Sequence, residues 1–204
     1  MSKILLMRVS IISILIVLIP VSMRGEAGET ASDYSPLTPD DKIHLYLKSF
    51  VDPISILGGA FSSGFNQAID SVPEWGQGME GFGKRFASSR GQKAVDQTVR
   101  YSLKIFLRED PRYFYSDRQG VRIRTLHAIG ETFVAHKDSG GVRPNYSWFA
   151  GAASGVYVSR QWHPERDRTA AKYVQGVAIS IGVQAAKNVF LEFWPDIKKK
   201  YLKR

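Results

Sequence analysis

Six polar residues have types and positions that could support proton transfer or activation of a nucleophile. His127 and Glu131 are four residues apart, so in a helix the carboxylate could orient the imidazole. Asp110 stands close to Arg112 in an Asp-Pro-Arg-Tyr stretch. The candidate catalytic set is Glu80, Asp110, Arg112, His127, Glu131 and Asn145. Each also has a purely structural interpretation, since an i, i+4 pair is commonly a surface interaction and an Asp in such a stretch caps turn amides.

Sequence motifs that hold a metal or a cofactor are missing. The four histidines do not pair at i, i+4, and no H-E-x-x-H, G-x-S-x-G or P-loop pattern occurs. The glycine-rich segment 76–83 has no predicted strand before it, which a phosphate-binding loop requires. The chain contains no Cys, which excludes thiol catalysis and iron–sulfur clusters. We therefore expect no metal and no cofactor, and the balance favours a protein without enzymatic activity.

Basic residues concentrate in the middle of the chain and at its C-terminus. Residues 81–124 hold eleven Lys and Arg against four Asp and Glu, whereas residues 28–80 hold two against eight. Five of the last seven residues are basic and follow an aromatic pair at 193–194. This polarity predicts an anionic partner, unless the acidic part folds back onto the basic part or the tail is only solvated. The expected anion-binding residues are Lys84, Arg85, Arg108, Arg112, Arg122, Arg124, Lys198, Lys199 and Lys200.

The first 27 residues read as a secretory signal. Lys3 and Arg8 precede an apolar run over 9–21, and small residues follow at 25–27. An uncleaved anchor is the alternative. Export places the protein in the periplasm or peripherally on the cell envelope, where the abundant polyanions are lipid headgroups and envelope polymers. It argues against nucleic acid as the partner.

The remaining sequence predicts an all-α, compact bundle of roughly five to seven helices with little strand. Residues 28–37 are expected to be a flexible lead-in, and 38–204 a single helical domain with a basic tail. Capped starts are predicted at Thr38-Pro39 and Asp52-Pro53. Further helices are expected from Pro73 to a break at 88–91, from there to about Arg108, over 123–133, over 145–160, and from 167 or 169 to 194. Pro195 is expected to bend or end the last one.

Small residues recur in two predicted helices. They lie at 58–64 and, four apart, at Gly151 and Gly155. Because Gly lowers helix propensity, its use predicts close approach to another helix, within the fold or on a packing partner.

Several segments together resemble an uncharacterised family of exported, helical bacterial proteins. They are W-G-Q-G at 75–78, G-F-G-K-R-F at 81–86, D-P-R-Y-F at 110–114, N-Y-S at 145–147 and E-F-W-P-D at 192–196. The resemblance implies export and a helical fold, and it carries no activity.

The leading hypothesis is an exported, non-enzymatic envelope protein that binds an anionic membrane surface or envelope component through its basic helical region. One alternative is a hydrolase or transferase acting on an envelope lipid or polymer, which needs several candidate residues to converge in one pocket. Another is a soluble periplasmic subunit of an envelope complex, which would expose an apolar patch of several hundred Å².

Overall fold

The computed structural model describes residues 35–201, so the predicted signal segment and most of the lead-in lie outside the described range. Within that range the chain forms six α-helices and one two-stranded sheet, which confirms the predicted all-α class. The elements are α1 (Pro39–Val51), α2 (Pro53–Ala68), α3 (Gly78–Phe106), α4 (Val121–Gly130), β1 (Val134–His136), β2 (Val142–Pro144), α5 (Tyr146–Arg160) and α6 (Ala170–Tyr201), with 3₁₀ turns at Pro73–Trp75 and Glu165–Asp167.

The first two helices begin at the predicted caps. Thr38 Oγ1 accepts a hydrogen bond from the Asp41 amide at 3.2 Å, and the Asp41 carboxylate accepts one from the Thr38 amide at 3.0 Å. Asp52 accepts from the Ser55 amide at 2.9 Å and starts α2. These side chains satisfy amides that lack a partner in the first helical turn.

Helix α3 is a single 29-residue element and the centre of the fold. The predicted break at 88–91 is wrong, because α3 runs through it without interruption. Ser89 Oγ donates to the Phe86 carbonyl at 2.8 Å, so the polar side chain is satisfied on the helix itself. Helices α1, α2 and α5 all pack on α3, and this packing outweighs the weak helix propensity of Ser and Gly.

Helices α3 and α5 approach closely at two glycines, as predicted. A Cβ on Gly151 would lie 2.6 Å from Asp96 Oδ1, and one on Gly155 would lie 2.9 Å from the Gln92 carbonyl oxygen. On α2 only Gly59 of the predicted run meets another helix: a Cβ there would lie 3.5 Å from the Phe86 ring of α3, whereas Gly58 and Gly64 have no atoms within 4 Å of an added Cβ.

Helix α6 is 32 residues long and packs on α4 and α5. Trp148 Nε1 donates to Gln184 Oε1 at 3.1 Å, and the Tyr173 hydroxyl donates to the Ala153 carbonyl at 2.9 Å. Pro195 lies inside this helix and does not end it.

A short hairpin joins α4 to α5, consistent with the small strand content predicted. Strands β1 and β2 pair antiparallel, and Gly140 and Gly141 adopt positive φ in the turn. Lys42 of α1 forms an ion pair with Asp138 of the hairpin at 2.6 Å, which fixes the hairpin against the first helix.

Candidate membrane-binding surface

Helices α2 and α6 present large apolar side chains to the outside. On α2, Leu57 is 58% exposed and Phe61 is 40% exposed; on α6, Ile179 and Val183 are exposed to 59% and 64%. Successive members lie three or four residues apart, which places them along one side of each helix. Large apolar side chains exposed along one side of a helix are a feature of surfaces that contact a protein or a membrane.

The interior is correspondingly polar. Glu109 and Glu192 have no exposed surface, and Asn188 is 3% exposed. The buried apolar residues of the described chain are few and mostly small: Val72, Ala128, Ala135, Trp148, Ala152 and Val156. Large apolar side chains outside and carboxylates inside reverse the usual distribution of a water-soluble domain.

Helix α6 is also the one helix of residues 35–201 that is long and apolar enough to cross a membrane, judged by length and composition alone. Its mean hydropathy over the best window only reaches 1.2, and one such helix is a weak sign of a membrane span. Lys187 and the buried Glu192 lie in its second half, where a spanning helix would carry ionised groups at high cost.

Glu192 is the centre of an internal ion-pair network that joins α4 to α6. Arg124 Nε donates to Glu192 Oε1 at 2.8 Å, and the Tyr113 hydroxyl and the Ser116 amide donate to Oε2 at 2.9 and 3.2 Å. Arg124 Nη1 also reaches Asp196, and its guanidinium stacks 4.6 Å from the Phe193 ring centroid. Burial raises the pKa of Tyr113 well above its usual range, and the hydrogen bond to Glu192 is the second largest cause of this rise.

The predicted pair of His127 and Glu131 forms and extends in both directions. His127 Nε2 lies 3.6 Å from Glu131 Oε1, and its Nδ1 lies 3.8 Å from Glu192 Oε2. Glu131 Oε2 is 2.9 Å from His136 Nε2, and Phe114 stacks on the His136 ring. Of these contacts, only the one between Glu131 and His136 is short enough to be a hydrogen bond; the two contacts of His127 are longer.

Asp110 and Arg112 form a local ion pair beside this network. The guanidinium donates from Nε and Nη2 to the Asp110 carboxylate, at 2.7 Å for the shortest bond, and the Arg112 amide donates to Asp110 Oδ1 at 2.8 Å. The Asp110 amide donates to the His136 carbonyl, which brings residues 110–116 against the hairpin. The carboxylate therefore caps a turn and anchors the segment that carries Tyr113.

The other two catalytic candidates have local structural roles. Asn145 caps α5, with Oδ1 accepting from the Trp148 amide at 3.3 Å. Glu80 is exposed on α3, and its hydrogen bond from Lys84 lowers its pKa. A shallow apolar depression between α1 and α3 includes none of the six candidates in its lining: Ile43, Tyr46, Thr98, Tyr101, Ser102 and Ile105.

A Ser–His–Asp arrangement that sequence reasoning missed lies between α3 and the turn before α6. Ser88 Oγ is 3.1 Å from His163 Nε2, but His163 Nδ1 is 4.0 Å from Asp167 and 3.4 Å from Arg160 Nη1. Since the guanidinium can only donate, its contact with Nδ1 favours the tautomer that has its proton on Nε2, facing Ser88. Burial is the main cause that lowers the pKa of His163 to about 4, and repulsion from Arg160 is the second. A histidine in this tautomer cannot take the serine proton, so the arrangement departs from that of a hydrolase.

The predicted anion-binding residues divide into two groups. Arg85, Arg112 and Arg124 turn inward: Arg85 donates to the Gly76 and Val72 carbonyls at 2.7 and 2.9 Å, and the other two hold the carboxylates described above. The remaining six are exposed: Lys84, Arg108, Arg122, Lys198, Lys199 and Lys200. The last three form the C-terminal turns of α6, directly after its apolar stretch.

Within the part of the chain that the structure describes, no three His, Cys, Asp or Glu side chains converge in a way that could hold a metal ion. No protein-family model, curated protein or solved structure matches this chain. The fold and the surface define a helical bundle with buried polar residues and with exposed apolar side chains on α2 and α6.

Proposed function

We propose that this chain is an exported, non-enzymatic envelope protein that lies on an anionic membrane surface. The apolar sides of α2 and α6 contact the lipid, and the exposed lysines and arginines contact the headgroups. The observation that carries the proposal is the reversed polarity of the bundle, in which Phe61 and Val183 face outward while Glu192 is fully enclosed.

The energetics favour lipid as the covering phase. Burying a Leu, Val or Phe side chain that water would otherwise surround contributes about 1.5–3 kcal/mol, so a few half-exposed residues on each helix supply several kcal/mol. Each Lys or Arg near an anionic surface adds about 1 kcal/mol. Lys198, Lys199 and Lys200 follow the aromatic residues 193–194, an arrangement suited to the interface between lipid and water.

The internal network explains how a bundle with few large buried apolar residues can present such faces. Both carboxylate oxygens of Glu192 have donors, so this buried charge does not need a partner from water or lipid. The carboxylates and histidines support the architecture in this proposal, and catalysis is not assigned to them.

Vesicle co-sedimentation of the purified protein tests the proposal. We expect binding to vesicles containing phosphatidylserine, with weaker binding to phosphatidylcholine alone and partial release at high salt. The double substitution Phe61→Ser with Val183→Ser should lower the partition coefficient about tenfold or more. Phe106→Ser is the matched control, because Phe106 is 81% exposed but lies on α3, and it should change the coefficient less than twofold.

The proposal fails if the protein ignores anionic vesicles at low salt, or if the double substitution and the Phe106→Ser control bind alike. A soluble protein that forms a stable oligomer would instead favour the periplasmic subunit, since the same apolar faces could meet a protein partner. Light scattering coupled to size-exclusion chromatography separates that outcome from membrane binding.

A further inference from the structure

The connection from α5 to α6, residues 161–169, packs on α3 through a tryptophan and a histidine. Trp162 Nε1 donates to Ser88 Oγ at 2.9 Å, and His163 Nε2 lies 3.1 Å from the same oxygen. A Cβ on Gly91 would lie 3.3 Å from the Trp162 ring, so this ring rests directly on the backbone of α3. One serine and one glycine of α3 thus hold the connection that leads into α6.

The His163 ring is enclosed on its other sides as well. The Trp75 ring, in the 3₁₀ turn before α3, lies 4.6 Å from it between ring centroids. Arg160, at the end of α5, places its Nη1 3.4 Å from His163 Nδ1. Arg168 Nε donates to the His163 carbonyl at 2.8 Å, which fixes the backbone of the connection. The ring is therefore held by α3, by α5 and by the 3₁₀ turn.

The charged groups around the ring favour a neutral imidazole. Arg160 can only donate at Nδ1, so a proton added there would point at another positive group. Asp167 comes closest among the carboxylates of residues 35–201, but its Oδ2 lies 4.0 Å from Nδ1, beyond hydrogen-bond distance. Glu74 of the 3₁₀ turn is paired with Arg166 of the connection at 2.9 Å. Ser88, the contact from α3, carries no charge, so a protonated ring would lack a hydrogen-bonded counter-ion.

Protonation of His163 therefore opposes the docked position of the connection. Burial is the main cause that lowers the pKa of the docked ring to about 4; Arg160 lowers the pKa further, and Asp167 acts against both. A histidine in water has a pKa of about 6.5. Because the docked ring has the lower pKa, the connection is held most firmly above about pH 6.5, and the hold weakens as the pH falls toward about 4. Between pH 7 and pH 5, the ratio of released to docked connection should rise about twentyfold.

We propose that the connection from α5 to α6 is an acid-released latch, held to α3 by Trp162 and by the neutral His163 ring. In the docked state Ser88 accepts from both side chains, and the connection fixes the start of α6. When His163 takes up a proton, the charged ring leaves for water and Trp162 loses its contact with Ser88. The proposal is independent of membrane binding, because every contact of the latch joins two parts of the same chain.

Hydrogen exchange of indole N–H groups, followed by nuclear magnetic resonance on the purified full-length chain, measures the release. Trp162 Nε1 reports the contact with α3, and Trp148 Nε1, bonded to Gln184, reports the packing of α5 on α6 as an internal control. After correction for the intrinsic pH dependence of exchange, the protection of Trp162 should fall about twentyfold from pH 7 to pH 5. The protection of Trp148 should change less than about twofold.

Three substitutions separate the latch from general effects of acid. His163→Gln removes the titrating ring and keeps a donor group, so Trp162 should lose less than about twofold of its protection in this variant. His44→Gln is the matched control, because His44 is exposed on α1, and it should behave like the unmodified chain. Arg160→Gln removes the repelling cation, which raises the pKa of docked His163 and should reduce the pH dependence.

The ring resonances of His163 provide a second readout, which does not depend on any variant. We expect the His163 ring to remain neutral at pH 5, and titration near pH 6.5 would overturn the proposal. It is also overturned if the Trp162 indole keeps its protection at pH 5, or if His163→Gln loses as much protection as the unmodified chain. Equal losses at Trp162 and Trp148 would show general unfolding by acid and would overturn it too.

Discussion

Replacing Glu192 by Gln should destabilise the bundle far more than replacing the other acidic partner of Arg124. Gln keeps the size of the side chain but has one acceptor oxygen and a donor amide. In the native protein both Glu192 oxygens accept hydrogen bonds, from Arg124 on one side and from Tyr113 and Ser116 on the other. In the variant, the new amide nitrogen would face either Arg124 or the pair Tyr113 and Ser116, and those buried donors would lose their acceptor.

The magnitude follows from burial. Removing one partner of a buried ion pair costs about 3–5 kcal/mol. The Arg124 side chain is 20% exposed and keeps its contact with Asp196, so part of this cost is relieved by water. We expect a loss of about 2–4 kcal/mol in the free energy of unfolding, which lowers the melting temperature by about 5–15 °C for a chain of this size.

Asp196→Asn is the matched control, since Asp196 contacts the same arginine but its side chain is 60% exposed. An exposed pair contributes at most about 1 kcal/mol. Thermal unfolding followed by far-ultraviolet circular dichroism compares the two variants with the unmodified chain. Equal melting temperatures for Glu192→Gln and Asp196→Asn would refute the assignment of Glu192 as the centre of the network.

Three further predictions concern other parts of the fold. Burial lowers the pKa of Lys104 to about 8, so between pH 8 and about 10 the folded protein loses a proton that the unfolded chain retains, and the free energy of unfolding should rise across this window. Urea titrations at several pH values measure this rise. Lys104→Met should reduce it, and an unchanged slope in the variant would contradict the prediction. Gly151→Ala should destabilise the fold by about 1–3 kcal/mol, because the new methyl group would clash with α3. Gly182→Ala has open space around the new methyl group and should stabilise α6 by about 0.5–1 kcal/mol. In thermal melts, the two substitutions should therefore shift the melting temperature in opposite directions. Ser88 should resist labelling by a fluorophosphonate probe in intact-mass measurements, because His163 donates to it, and stoichiometric labelling would show that the histidine acts as a base.

Local signals predicted the helix starts well, and long-range packing decided what they missed. The caps at Thr38 and Asp52 act within three residues, so their patterns are readable in the sequence. The Ser-Ser-Arg-Gly stretch at 88–91 reads as a break in the same local terms. Three helices pack around α3, and their contacts stabilise a helical conformation that the stretch alone does not favour.

The candidate site residues show the same difference between local signals, which the sequence reveals, and long-range contacts, which it does not. The pairing of His127 with Glu131 follows from helical spacing and was predictable. Their neighbour Glu192 comes from a helix some sixty residues later, and no spacing rule connects them. The inward turn of Arg85 and Arg124 was equally hidden, because a cluster of basic residues in sequence does not say which side chains the fold encloses.

Fluorescence of single-cysteine variants tests the central proposal most directly, and the chain suits it because it contains no native Cys. Phe61→Cys and Val183→Cys place an environment-sensitive nitrobenzoxadiazole label on the apolar sides of α2 and α6, and Ser139→Cys places it on the exposed hairpin turn as a control. With phosphatidylserine vesicles, we predict a blue shift and quenching by a lipid-embedded nitroxide at the first two positions, and neither at Ser139→Cys. Labels at Phe61→Cys and Val183→Cys that stay as water-exposed as the control would contradict contact between these faces and the membrane.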